Sequence, residues 1–316
     1  MISPKIAIGM AVYNGCDYIE QQVKSIIEQT YSNWILFIRD DGSSDNSLEI
    51  CKKIQVRYPQ KIKIIKDSTS TKSAGKNFFK ILHFINDNFK GNFDYFMLSD
   101  QDDYWHANKI EKTLQKMLKA EQESPKIPIL VHTDLAVVNA KLEQIGSSFM
   151  KYRALNPKFT SLNRLLIQNN VTGCTMMWNN LLMGKILENN TVTMHDWWIA
   201  LIASCFGKIE YVNEATIDYR QHGDNVVGAT KVNTVSFVFY RLFVNNNIKD
   251  TFNIAIKQAC VFLSVFEPVL TEKQIITLKQ FISIKGKGKI RKVRIVILNH
   301  FIKQGLMQQI GELVFI

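Results

Sequence analysis

Tyr95-Phe96-Met97-Leu98-Ser99-Asp100-Gln101-Asp102-Asp103 decides the fold: a short apolar run breaks off in carboxylates, and a helical pattern follows from about Ala107 to Glu121. A run this short, bounded by polar residues, predicts a buried strand. The same punctuation occurs twice upstream. Ile6 to Val12 stops at Tyr13-Asn14-Gly15, and Trp34 to Ile38 stops at Arg39-Asp40-Asp41-Gly42-Ser43-Ser44-Asp45. Ile19, Val23, Ile26 and Ile27 follow the first at helical spacing, behind Asp17 and Glu20 in a capping-box pattern. Leu48, Cys51 and Ile54 follow the second. Ile62 to Ile65 predicts another strand, and Phe78, Ile81, Leu82 and Ile85 the helix after it. Strands alternating with such helices predict βαβ units, hence an α/β fold on a parallel sheet. Right-handed crossovers place the loops after these strands along one sheet edge, where ligands bind. The polar clusters at 13–15, 39–45 and 100–103 are therefore expected to share a crevice.

From about residue 125 the pattern loosens. Ile129 to Val131, Ala136 to Val138, Val171 to Trp178, Ile209 to Tyr211 and Ala215 to Tyr219 predict strands. Leu162 to Ile167 predicts a helix, and His195-Asp196-Trp197-Trp198 opens another running to about Cys205. Beyond Val235 the pattern is helical, with closely spaced Phe237, Phe239, Tyr240, Leu242 and Phe243. The expected division is a domain over 1–230 and a helical segment over 231–316.

The 316 residues are 46% hydrophobic and 21% charged, which suits a folded soluble protein with a sizeable core. The net charge of +11 is uneven, because no acidic residue lies between Glu272 and Glu312. That interval carries Lys285, Lys287, Lys289, Arg291, Lys292 and Arg294. A basic module implies an anionic partner: a membrane surface, a phosphorylated lipid or a nucleic acid. The five cysteines are widely spaced with no C-x-x-C pair, which argues against a disulfide framework and a zinc site. No signal core and no 18-residue uncharged apolar stretch occur. A reducing, cytoplasmic setting fits these features.

Asp100 and Asp102, after a buried strand, can hold a hard divalent cation such as Mg2+ or Mn2+. The plain alternative is a solvated turn that caps the next helix. A calcium loop is excluded, since Tyr104 stands at a ligand position and Trp105 where glycine is required. Capping explains Ser44 and Asp45 but not the adjacent carboxylates Asp40 and Asp41, which could accept hydrogen bonds from a pyrimidine. Asp196 is either a helix cap or a general base. The helix terminus lowers its pKa and desolvation by Trp197 and Trp198 raises it. His222, beside Arg220 and Gly223, suits a loop over a diphosphate.

Seven segments then resemble the family 2 glycosyltransferases of GT-A fold, most closely the bacterial rhamnosyltransferases of cell-wall and surface polysaccharide synthesis. They are A-V-Y-N-G at 11–15, R-D-D-G-S-S-D at 39–45, S-A-G-K-N-F at 73–78, S-D-Q-D-D-Y-W at 99–105, T-G-C-T at 172–175, H-D-W-W at 195–198 and Y-R-Q-H-G-D-N-V-V-G at 219–228. The resemblance implies a Rossmann-like sheet with helices on both faces. It implies that Ala11, Tyr13, Asp40 and Asp41 hold the pyrimidine and ribose, with Lys76, Asp100 and Gln101 also on the nucleotide. It further implies metal ligation by Asp102 and His222, diphosphate contact by Arg220, and acceptor contacts by Gly173, Trp197 and Trp198. Asp196 would be the catalytic base of an inverting transfer. Many relatives have a small hydroxyl residue where Ala11 stands, so uridine and thymidine donors both stay open. The expected partners are a dTDP- or UDP-sugar, a glycan or lipid-linked acceptor, an anionic membrane surface and a second subunit, with no nucleic acid. The expected location is the inner face of the cell membrane. Two other classes fit the residues less well. A nucleotidyltransferase would carry a Gly-rich basic loop where Tyr13-Asn14-Gly15-Cys16-Asp17 stands. A nucleic-acid binder is opposed by the balanced front half.

Overall fold

The computed structural model describes residues 3–67, 69–186, 194–222 and 247–316. Residues 223–228 of the last motif and the aromatic run at 237–243 lie outside them. The first strand, β1 (Ile6–Val12), reads Ile-Ala-Ile-Gly-Met-Ala-Val. Successive side chains point to opposite faces, so this alternation gives the sheet one bulky and one bare side. Ile6, Ile8, Met10 and Val12 enter a core with residues of α1 (Ile19–Ile27), α2 (Ser47–Arg57) and α4 (Lys109–Glu123). The bare side lies under α3 (Ala74–Phe89), where a β-carbon on Gly9 would stand 2.8 Å from the Ile81 side chain. That glycine lets helix and strand approach closely.

β2 (Trp34–Asp40), β3 (Ile62–Ile64) and β4 (Tyr95–Ser99) join β1 in parallel, in the order β3-β2-β1-β4. The sheet then departs from the all-parallel expectation. β8 (Met176–Asn179) inserts antiparallel between β4 and β6 (Ile129–Asn139). β9 (Lys208–Gln221) runs parallel to β6, and β5 (Tyr104–Trp105) closes the path antiparallel to β9. β7 (Gln144–Gly146) pairs with β6 off the main path.

Several predicted boundaries shift for local reasons. The expected strands at 129–131 and 136–138 are one strand, because the intervening Thr133 and Asp134 are buried and satisfied. Thr133 bonds the Thr216 hydroxyl at 2.7 Å, and Asp134 accepts from the Leu135 amide at 2.9 Å. The expected strand from Val171 begins instead with a 3-10 turn at Gly173–Thr175, closed by the Thr175 hydroxyl on the Thr172 carbonyl. Asp17 does not cap α1, whose N-cap is Tyr18 without a side-chain bond.

The second face of the sheet carries α3, α6 (Leu162–Ile167), α7 (Asn180–Ile186) and α8 (His195–Phe206). The same apolar core runs on into α9 (Asn247–Phe266), α10 (Glu272–Ser283) and α11 (Lys289–Leu298). Trp198 is its hinge, with ring centroids 5.3 Å from Phe262 and 5.8 Å from Phe266. The described part of that C-terminal segment, 247–316, thus shares its core with the front of the molecule. Thr251–Val269 is long and apolar enough to cross a membrane by length and composition. Its inner residues Ala255, Ile256, Ala259, Phe262 and Phe266 are packed in this core. α5 (Phe149–Tyr152) and α12 (Leu306–Phe315) complete the described helices.

Candidate active site

The loops after β1, β2 and β4 do converge. They wall a crevice of about 1380 Å³ whose lining includes Ala11, Tyr13, Asp41, Asp100, Gln101, Asp102, Gly173, Asp196, Trp197 and His222. Two loops are locked to each other through one amide. Gln101 accepts from the Tyr13 backbone N–H and donates to the Tyr13 carbonyl, both at 2.9 Å. A β-carbon on Gly15 would stand 2.3 Å from Gln101 Oε1, so a larger residue there would displace that amide from the Tyr13 backbone.

At one end Asp41 is held by four donors. Arg39 Nη1 and the Thr71 amide reach Oδ1 at 2.8 and 2.7 Å, while the Thr71 hydroxyl and the Lys72 amide reach Oδ2 at 2.8 and 3.0 Å. Burial raises the Asp41 pKa, but the Arg39 guanidinium and the Thr71 donors outweigh it and leave the group below the usual carboxylate range. An ionised acceptor is therefore fixed at this wall.

In the middle, the Asp102 carboxylate lies 2.8 Å from His222 Nε2. The imidazole stacks on Tyr18 with centroids 4.8 Å apart, and the Arg220 guanidinium lies over the other partner of that stack, 4.8 Å from the Tyr18 centroid. Arg220 donates Nε to the Asp102 carbonyl at 2.8 Å and Nη2 to Gln21 at 2.7 Å. Burial, then the charges of Asp102 and Asp196, push the Asp100 carboxyl upward. Beneath it, Asp100, Asp103 and Cys174 bring ligand atoms within 4.8 Å of one another. Burial drives the Asp103 carboxyl and the Cys174 thiol towards their protonated forms. Both Asp103 oxygens lack a hydrogen-bond partner among the described residues, so this trio is a second group of candidate ligands below the crevice, while Asp102 and His222 offer a carboxylate and an imidazole to the crevice itself.

Asp196 stands in the first turn of α8, and its Oδ1 accepts the Trp197 amide at 2.6 Å. The two opposing effects expected for it resolve in favour of burial, which raises its pKa to about 6 against the lowering pull of the Trp197, Asp196 and Gly173 backbone N–H groups. A carboxylate with that pKa is ionised at neutral pH and basic enough to take a proton.

Residues 7–182 match the family model described as glycosyl transferase family 2. The chain belongs to that family. It is 31% identical over 231 residues to the dTDP-rhamnosyl transferase RfbG of Shigella flexneri, covering 70% of this chain and 74% of that protein. It is 27% identical over 169 residues, 54% of this chain and 57% of the other, to the Escherichia coli UDP-Glc:alpha-D-GlcNAc-diphosphoundecaprenol beta-1,3-glucosyltransferase WfgD. Among solved structures, S. aureus TarS 1-349 in complex with UDP-GlcNAc aligns with TM-score 0.54 at 15% identity, covering 98% of this chain and 89% of that one. The protein is a glycosyltransferase, and its sheet is of the expected GT-A type.

Four residues expected in the glycosyltransferase site stand elsewhere. Trp198 is fully buried in the core with Phe262 and Phe266, one residue past the crevice wall, because successive residues on a helix point about 100° apart. Asp40 faces its own turn, accepting the Gly42 and Ser43 amides at 3.0 and 2.9 Å. Lys76 borders a separate, smaller cavity with Lys80 and His83, and Lys72 stands in the crevice in its place. Arg220 is buried behind the crevice as a clamp on the Asp102 carbonyl. The sequence reading missed Asn77, His195, Lys303 and Gln308, all on the crevice wall. Asn77 and His195 sat inside quoted motifs, whereas nothing local marked Lys303 and Gln308, which reach the crevice only through the packing of the C-terminal helices.

Proposed function

We propose that this glycosyltransferase moves a sugar, with dTDP-rhamnose as the first candidate donor, onto a hydroxyl of a glycan or lipid-linked glycan in polysaccharide biosynthesis. The observation that carries the reading is the meeting of Asp41, Asp102, His222 and the proton-accepting Asp196 in one crevice. RfbG, by its name, uses a dTDP-rhamnosyl donor, and WfgD, by its name, acts on a diphosphoundecaprenol-linked sugar.

In this reading Ala11, Tyr13 and Asp41 receive the base and ribose, with Gln101 holding the Tyr13 loop in place. The donor set of Asp102 and His222, with Asp100 beside them, fits Mg2+ or Mn2+. When bound, such an ion neutralises the charge that develops on the departing diphosphate. Asp196 accepts the proton of the acceptor hydroxyl as that oxygen bonds to the anomeric carbon. The bond to the nucleotide's terminal phosphate oxygen breaks on the opposite face, so the configuration inverts. No covalent intermediate is required of the chain.

The basic C-terminal helices support a location at an anionic membrane surface. On α11 the outward face alternates Ile290, Arg291, Arg294, Ile297 and Leu298, with Ile290 87% exposed. On α12, Leu306, Ile310 and Val314 recur every fourth residue on the exposed side, while Gln308 on another face reaches the crevice. Glu312, the acidic residue of this stretch, is buried. Large aliphatic side chains among arginines are what an interfacial helix presents to anionic lipid.

The test is a panel of nucleotide sugars assayed for transfer and for donor hydrolysis, with Mn2+ or Mg2+ and with chelator. One donor should be consumed, only with the ion, and the product's anomeric configuration should be opposite to the donor's. Asp102→Ala should abolish turnover. Activity that survives chelation removes the metal from the scheme, and retention of configuration removes the single displacement.

A further inference from the structure

His195 is buried, 7% exposed, and lies on the crevice wall. Among the described residues, neither of its ring nitrogens has a hydrogen-bond partner. Buried polar groups in folded proteins are nearly always paired, and each exception calls for an explanation. Two neighbours fix the ring. Phe78, from the start of α3, packs against it with centroids 4.2 Å apart. Gly173 lies against the ring edge, and a β-carbon there would stand 2.5 Å from Nε2. The glycine therefore keeps open the space in front of that nitrogen, and the phenyl ring prevents the imidazole from turning away.

The wall that holds His195 is the donor's wall. Phe78 follows Asn77, whose Oδ1 accepts from Arg39 Nη1 at 2.8 Å. The same Arg39 nitrogen holds Asp41, so this segment lies against the proposed nucleoside end. Asp196, the next residue, faces the reaction centre. Between a nucleoside and the base that deprotonates the acceptor sits the transferred sugar.

We infer that His195 reads a hydroxyl of the donor sugar, and so takes part in choosing which nucleotide sugar the enzyme accepts. This rests on the glycosyl-transfer reading above. Burial lowers the pKa of the ring to about 3, so it is uncharged throughout the working range. An uncharged imidazole has one N–H donor and one acceptor nitrogen, a match for a hydroxyl, which can serve as either. A site built to hydrogen-bond a hydroxyl discriminates strongly, because a sugar lacking it leaves the buried nitrogen unpaired again.

The experiment uses the full chain, the nucleotide sugar turned over by the native enzyme in the panel, and that donor's monodeoxy analogues. His195→Phe keeps the ring stacked on Phe78 and removes the polar edge; His195→Gln restores one hydrogen bond. His195→Phe should lower kcat/KM for the natural donor by roughly tenfold to a hundredfold. It should leave the Kd for the bare nucleoside diphosphate unchanged and lose its penalty on one particular deoxy analogue. His195→Gln should recover part of the activity. An equal loss on every analogue and on the bare nucleotide overturns the inference, as does full activity with the native deoxy profile. A native protein that consumes no nucleotide sugar overturns the functional reading instead.

Discussion

Asp196 is where a single residue decides both chemistry and cost. Its folded-state pKa of about 6 lies above the value of 3.8 for a free side chain, with burial as the cause. A carboxylic acid whose pKa rises on folding binds its proton more tightly in the folded state. Its stabilising contribution is therefore complete below about pH 4 and is lost as pH rises through about 6. Asp196→Asn should remove that loss, so the variant should be more stable than the native protein at pH 8, by roughly 3 kcal/mol, and equal to it near pH 3. Chemical denaturation at the two pH values measures this. The same variant should lose about 100- to 10 000-fold in kcat. The acid limb of the native kcat profile should fall near pH 6 and vanish in whatever activity the variant retains. A variant that only weakens donor binding would show that Asp196 is not the base.

At the scale of the element, α8 shows how neighbours in sequence part company in space. Trp197 lines the crevice and donates its ring N–H to the Leu165 carbonyl, while Trp198 is the plug between α8 and α9. Trp198→Ala should cost about 3–5 kcal/mol, read as a fall in Tm, because it opens a void between two helices. Trp198→Phe should keep turnover with a smaller loss, as expected of packing rather than of acceptor contact. This also marks what the sequence could disclose. Each early strand was legible because its apolar run ended in carboxylates or glycine, and Ile6–Val12 and Leu162–Ile167 lie where periodicity puts them. The crevice carboxylates Asp41, Asp100 and Asp102 were legible for the same reason, and Asp196 because it opens a helix inside the H-D-W-W motif. Which of two adjacent aspartates or tryptophans faces the crevice was not, since that depends on helix phase and on a turn bonding to itself. The antiparallel insertion of β8 was also hidden, because a four-residue strand carries no mark of its direction.

Across the whole molecule, the C-terminal helices have one side in the core and another of exposed aliphatic and basic residues. With vesicles containing anionic phospholipid the protein should sediment, and with zwitterionic vesicles it should not. Arg291→Glu with Arg294→Glu should weaken that binding by roughly tenfold or more, and Ile290→Ser with Leu298→Ser should weaken it as well. Equal binding to neutral vesicles, or a dimer in light scattering that these substitutions dissolve, would assign the surface to something other than anionic lipid. The proposed ion site has its own consequence at this scale. Asp102 and His222 are 120 residues apart, and Arg220 reaches Gln21 across 199. A chain emerging from the ribosome therefore exposes its acidic turn long before the imidazole has been synthesised. The site is completed late, and a nascent or proteolytically shortened N-terminal half should bind cations no better than an unstructured acidic peptide.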